Sequence, residues 1–201
     1  EFPDVVVADN QSVVDASDVV FLGLLPEVAP QVLTALKFRE GQQVISFMAG
    51  VTMGELAGLV APATASALML PFPGIAQGGS PILAMGDVGL VAGLFSPANA
   101  VFAVSSPEEL NAYLCAQAVL SPALAMVGAA GEWMAARGVD PEAGEAFLRA
   151  LVGSSLLTSE CAPMIEALNT PGGYNQRLRQ HMERAGMAEA LTDGLDTLSK
   201  G

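Results

Sequence analysis

Positive charge is scarce in this chain: 8 Lys and Arg stand against 21 Asp and Glu, a net charge of −13 over 201 residues. No basic stripe exists, so neither nucleic acid nor an anionic membrane surface is an expected partner. Aromatic residues make up only 5%, so the core must be assembled from Ala, Val, Leu and Met in closely packed elements. Cysteine occurs twice, at Cys115 and Cys161, and histidine once, at His181. Two isolated thiols without clustered histidines make neither a disulfide framework nor a zinc spacing, and no metal is expected. They are expected to be buried, and they suit a reducing cytoplasm. No uninterrupted apolar run reaches ~18 residues, which argues against a membrane-crossing helix. The start, Glu1-Phe2-Pro3-Asp4, lacks the basic and apolar regions of a signal peptide.

What is present is apolar: hydrophobic residues make up 52% of the chain, enough for a substantial core and one or two domains. In the first half, short apolar runs alternate with helical patterns. Val5-Val6-Val7 is a strand candidate. Val19 to Leu25 is apolar on both faces, as a central parallel strand requires, and Pro26 stops it. Val28, Ala29, Val32, Leu33 and Leu36 follow at helical spacing. Val44 to Phe47 reads as the next strand. Thr52 and Glu55 form a capping box for a short helix through Leu59. Ser66 to Leu70 is another strand, ended by Pro71-Phe72-Pro73-Gly74, and Ile82–Met85 and Val101–Val104 are two more. This alternation implies a mostly parallel α/β sheet.

From Ser105 onward the pattern is all helical. Ser106-Pro107-Glu108-Glu109 caps a first helix. Pro122 opens a second that runs to Arg137, with Gly138 as its terminator. Leu124, Met126, Val127, Trp133 and Met134 surround that helix, so it should be buried, and Gly128 and Gly131 admit a neighbouring backbone. Asp140-Pro141-Glu142 starts a third helix, with Phe147, Leu151, Val152 and Leu156 on its apolar face. Two more helices follow, marked by Leu178, Met182 and Ala185, then by Leu191, Leu195 and Leu198. The expected division is therefore 1–104, α/β, and 105–201, all-α. An all-round apolar helix is hard to bury within so short a segment, so a symmetric homodimer through residues 105–201 is expected.

Between two of those helical patterns lies Asn169-Thr170-Pro171-Gly172-Gly173-Tyr174-Asn175. Pro171 fixes the entry angle, and the glycines permit conformations closed to other residues. Such a turn, opening a helix, can offer backbone N–H groups to an anion. His181, about two turns further on, reads as a helix-flank residue more readily than as a general acid.

Leu22-Gly23-Leu24-Leu25-Pro26, then Ser46-Phe47-Met48-Ala49-Gly50-Val51, then the Pro-Gly-Gly turn resemble, in that order, the pyrroline-5-carboxylate reductases. Gly138-Val139-Asp140-Pro141 and Leu156 to Glu160 are similar to further segments of that family. Those dimeric enzymes reduce a cyclic imine to proline with NADPH or NADH. The resemblance implies a partial Rossmann-like parallel sheet followed by an all-α dimerisation domain, a place in proline biosynthesis, and a cyclic imine or amino-acid-like carboxylate as substrate. It places Asn10, Gly23, Leu24, Leu25 and Pro26 along the adenosine and phosphates of NADP or NAD, and Ala49 and Gly50 near the nicotinamide. Thr170, Pro171, Gly172 and Gly173 would face the substrate across the dimer interface, with Glu160 and Asn175 as catalytic candidates. Tyr174 is a further catalytic candidate on its own chemistry, its hydroxyl a donor to an imine nitrogen or carbonyl oxygen; the other reading of Tyr174 is an aromatic packed at the dimer interface, and that of Glu160 a solvated helix end.

The departures from the family pattern are specific. The glycine-rich phosphate fingerprint Gly-x-Gly-x-x-Gly is absent, as though the first part of the Rossmann domain were missing, and weak dinucleotide binding is the expectation. Leu25 stands where the family carries Lys. Leu70-Pro71-Phe72 replaces Met-Pro-Asn, and Ala118 to Leu124 replaces Ser-Gly-Ser-Gly-Pro-Ala-Tyr. Asn175 replaces a catalytic Thr and cannot relay a proton as a hydroxyl can. The alternative expectation is a non-catalytic dimeric paralogue that binds a small molecule on the same scaffold.

Overall fold

A computed structural model describes residues 4–200, and its contacts divide the chain into two units, Glu1–Leu110 and Asn111–Gly201. The first unit holds a five-stranded sheet in the order β1 (Val19–Leu22), β2 (Gln43–Ser46), β3 (Thr64–Pro71), β4 (Pro81–Gly86) and β5 (Ala100–Ala103). Neighbouring strands are parallel except for β3 and β4, which are antiparallel. Helix α1 (Asn10–Ala16) precedes β1, and α2 (Ala29–Leu33), α3 (Met53–Val60) and α4 (Val88–Phe95) connect the parallel pairs.

Two apolar layers sandwich the sheet. Val14, Leu33, Val44, Met48, Leu56 and Val60 form one, and Ile45, Met69, Ile82, Ala84 and Val91 the other. Val44 and Ile45 are adjacent in sequence, fully buried, and on opposite faces. This is the two-sided burial that crossover helices impose on parallel strands. Gln42 is fully buried beside them; its amide donates to the Val14 and Ser17 carbonyls at 2.6 and 2.9 Å, and its oxygen accepts the Arg39 N–H at 2.8 Å.

Two expectations for this unit need correction. Val5, Val6 and Val7 form no strand; they are exposed, Val7 at 92%, because no neighbouring strand supplies a ladder. The run from Val19 is a strand only to Leu22, and β1 lies at the end of the sheet order instead of its centre. One of its edges is left without a partner among the described residues.

The second unit is helical, and the first of its helices, α5 (Pro107–Ala116), begins in the preceding unit. A single 3₁₀ turn at Gln117–Val119 joins it to α6 (Leu120–Ala135). Pro122 therefore sits within the first turn of α6 and does not open it, a position where its missing N–H costs little. Pro107–Ala135 is, by length and composition, apolar enough to cross a membrane. The expectation of no such helix counted only uninterrupted apolar residues, and Asn111, Gln117 and Ser121 interrupt this one. α7 (Pro141–Thr158) returns antiparallel to α6 after a left-handed turn at Gly138, with Asp140 capping the Ala143 N–H at 2.9 Å. At their crossing a Cβ on Gly131 would touch Glu145 at 3.7 Å, whereas Gly128 faces open space. α8 (Cys161–Ala167), α9 (Tyr174–Arg184) and α10 (Met187–Ser199) complete the unit.

The chain alone does not bury α6. Leu124, Met126 and Trp133 are more than half exposed, as are Phe147, Leu151 and Leu156 on α7. Nor are the thiols buried as expected: Cys161 is exposed and Cys115 half-buried.

Candidate functional site

The parallel strands place their carboxyl ends together, the edge at which ligands bind in open α/β sheets. Leu22 and Ser46 are register partners, and the Phe47 N–H donates to the Leu22 carbonyl at 2.9 Å. The loops that follow β1 and β2 are therefore tied side by side. The first carries Gly23, Leu24, Leu25 and Pro26; the second carries Ala49 and Gly50. Gly23, Leu25, Pro26, Ala49 and Gly50 are exposed, and Leu24 is half-buried. Gly50 adopts φ +88°, so that position favours glycine. The rings of Phe21 and Phe47 stack with centroids 5.5 Å apart and brace the start of both loops.

Asn10 joins this edge as the first residue of α1. Asn10, Gly23 and Leu24 line one cavity of about 120 Å³ with Val13, Phe21 and Val32. Asp9 caps the same helix by accepting the Ser12 N–H at 3.0 Å and its hydroxyl at 2.7 Å, and these bonds hold its carboxyl below the usual range. The cavity is smaller than the ~300–1,000 Å³ of whole ligand sites. It suits one end of a ligand that lies along the open edge.

In the helical unit, Asn169–Gly173 is a tight turn followed directly by α9, whose first two residues are Tyr174 and Asn175. Gly172 adopts φ +76°. The Gly172 N–H donates to Gln176 Oε1 at 2.9 Å, and the Gly173 N–H to the Thr170 carbonyl at 3.0 Å. The two glycines shape the turn but do not supply its free donors. Those are the N–H groups of Tyr174, Asn175 and Gln176, since Gly173 offers no side-chain cap and the first helical bond comes from Arg177. Gln176 and Arg179 both donate to Asn169 Oδ1, at 3.1 and 2.8 Å, and Arg179 also pairs with Glu183 at 2.7 Å. This network fixes the turn from behind. Sequence reasoning missed it, although Asn169, Gln176 and Arg179 are spaced at about two turns and one.

Thr170, Pro171, Tyr174 and Asn175 are exposed, Tyr174 at 90%. Glu160 stands at the N-cap of α8, exposed and without a capping bond. A second group was also missed: Arg177, His181 and Arg184 line a recess with Tyr174, Leu178 and Gln180. Their spacing of four and three residues was the available signal.

Residues 2–50 match the sequence family described as NADP oxidoreductase, coenzyme F420-dependent. A comparison with curated proteins finds no significant sequence match. Among solved structures, the pyrroline-5-carboxylate reductase of Coxiella burnetii superposes with a TM-score of 0.81 at 17% identity, covering 96% of this chain and 78% of that one. The Plasmodium falciparum pyrroline carboxylate reductase, solved with NADP bound, gives a TM-score of 0.80 at 12% identity over 96% of this chain and 79% of its own. The 1-pyrroline-5-carboxylate reductase of Streptococcus pyogenes gives 0.74 at 20% identity, over 94% and 77%. The mostly parallel αβ layer and the helical unit that follows it are thus the fold of the pyrroline-5-carboxylate reductases.

Proposed function

We propose that this chain is an NAD(P)-dependent reductase that acts, as a homodimer, on a cyclic imine or a related small carboxylate. The observation that carries this reading is the tied pair of loops at the carboxyl edge of β1 and β2, in the fold of the reductase structures. The backbones of Gly23 and Gly50 are open to a ligand there. The residues present fit the flank of a dinucleotide: Asn10, Gly23 and Leu24 would hold the adenosine side, and Ala49 and Gly50 the nicotinamide. Among these 201 residues no Gly-x-Gly-x-x-Gly turn cradles the pyrophosphate. When bound, the cofactor supplies the hydride.

The chain's own residues orient and protonate the substrate. Free N–H groups at the start of α9 attract a carboxylate, which the positive end of the helix favours. The Tyr174 hydroxyl donates a hydrogen bond to the imine nitrogen or carbonyl oxygen. Asn175 adds an amide donor without transferring a proton. Glu160 is a weaker candidate, since its carboxylate has no hydrogen-bond or ion-pair partner among the described residues.

Two observations support the dimer. The apolar side chains of α6 and α7 are exposed. The start of α6 together with α10 lines a groove of about 830 Å³ that includes Val119, Met126, Leu191 and Leu195. Exposed apolar surface on this scale marks a protein interface.

The test is to titrate the chain with NADPH and NADH, following cofactor fluorescence, and then to add a cyclic imine carboxylate and follow cofactor oxidation. Saturable binding with turnover supports the reductase. Absence of any cofactor binding at millimolar concentration removes it. Cofactor binding without turnover of any imine favours the second reading, a non-catalytic paralogue; the substitutions around Asn175 motivate that reading.

A further inference from the structure

Cations are few here, and most of the arginines are engaged. Arg39 pairs with Asp18 at 2.8 Å, Arg149 with Glu145 at 3.9 Å and Arg179 with Glu183 at 2.7 Å, while Arg137 lies 3.7 Å over the Trp133 ring. Arg177 and Arg184 have no carboxylate partner among the described residues. They share one face of α9 with His181, because positions 177, 181 and 184 are separated by about one turn each. The single acid of that helix, Glu183, points to the other face, where Arg179 holds it. In a chain of net charge −13, two guanidinium groups without carboxylate partners lining one trough are not explained by internal pairing.

The recess has a volume of about 470 Å³, and Tyr174 lies at one end of it. Its walls all belong to α9, so it is an open trough along one helix face that suits the charged end of a ligand and leaves the rest in solvent. The helix rise of about 1.5 Å per residue puts Arg177 roughly 5 Å along the axis from Tyr174, and Arg184 about 15 Å. A guanidinium is the side chain best matched to the two oxygens of a carboxylate or phosphate.

We propose that this recess binds the anionic end of a small molecule, a carboxylate or phosphate group held by Arg177 and Arg184 with His181 between them. Combined with the reductase reading, on which this step alone rests, the substrate carries an acid group beyond the one at the turn: it enters past Tyr174 and extends along α9.

The experiment is calorimetric titration of the full chain with inorganic phosphate and, separately, with glutarate, at ionic strength held constant with chloride. Saturable binding of either anion is expected, at least tenfold weaker in R177Q/R184Q and largely retained in R177K/R184K. Phosphate binding alone identifies a phosphoryl ligand, and glutarate binding alone a carboxylate. No saturable binding, or equal binding to wild type and R177Q/R184Q at unchanged far-ultraviolet dichroism, overturns the proposal. Sedimentation showing an anion-independent dimer that R177Q/R184Q dissociates also overturns it, because a second copy's acidic surface would then cover the face. Loss of the reductase reading through absent NADPH binding leaves the anion titration intact, so the two failures are separable.

Discussion

Gly86 carries the chain from β4 into α4 with φ +99°, and a Cβ there would lie 2.5 Å from the Ser66 carbonyl oxygen and 3.3 Å from Ala67 Cα. Ser66 cannot retreat, because its carbonyl accepts the Asp87 N–H at 2.7 Å. Gly86→Ala is therefore expected to cost about 2 kcal/mol or more through backbone strain and a steric clash, read as a lowered urea midpoint for the first unit. Tyr174 presents the opposite case. Its side chain touches little, so Tyr174→Phe should leave the melting temperature unchanged. If its hydroxyl is the proton donor, kcat falls roughly a hundredfold; an unchanged kcat would assign the ring a packing role only. These residues also show where sequence reasoning stops. Tyr174 was visible as a candidate because it follows a recognisable turn. The constraint on Gly86 was not, because it comes from a carbonyl 20 positions away in sequence, on the neighbouring strand.

Short elements were legible when their end signals were strong. The capping box of α3 formed as read: Thr52 Oγ1 accepts the Glu55 N–H at 3.2 Å, and the Glu55 carboxylate accepts the Thr52 N–H at 2.8 Å. The Thr52 backbone N–H, and then its hydroxyl, hold the Glu55 carboxyl below the ordinary glutamate range. Because the folded-state value is the lower one, the stabilisation is fully present above the unfolded glutamate's pKa. It is lost as pH falls through the folded value. Glu55→Gln should thus melt below wild type at neutral pH, and the gap should close on acidification; a gap independent of pH would contradict this. By contrast α4 was missed, although Asp87 caps it by accepting the Leu90 N–H at 2.9 Å. Its sequence, Val-Gly-Leu-Val-Ala-Gly-Leu-Phe, has no polar face from which a helical period can be read. α8 was missed because its seven residues include Pro163.

At the scale of the molecule, the acidic chain spends its apolar residues unevenly. The sheet layers of the first unit are closed, whereas in the helical unit Trp133 is 59% and Leu157 89% exposed. The composition of α6 called for burial that so short a segment could not supply, and its exposed Leu124, Met126 and Trp133 agree that the chain alone does not supply it; no single-sequence period distinguishes a core helix from an interface helix. Leu191 lines the groove beside α6 and is 41% exposed. Leu191→Glu should weaken self-association about a hundredfold, equivalent to roughly 3 kcal/mol, in sedimentation equilibrium; a monomeric wild type at micromolar concentration would end the dimer proposal. A different surface has a different consequence. The side of β1 that has no partner among the described residues offers the backbone groups of Val-Val-Phe-Leu with no lysine or proline within the strand to deter a visitor. Where that side stays unpaired, concentrated solutions of these 201 residues are expected to accrete strand by strand, seen as thioflavin fluorescence that rises with concentration before any heating; fluorescence independent of concentration would show the side to be covered.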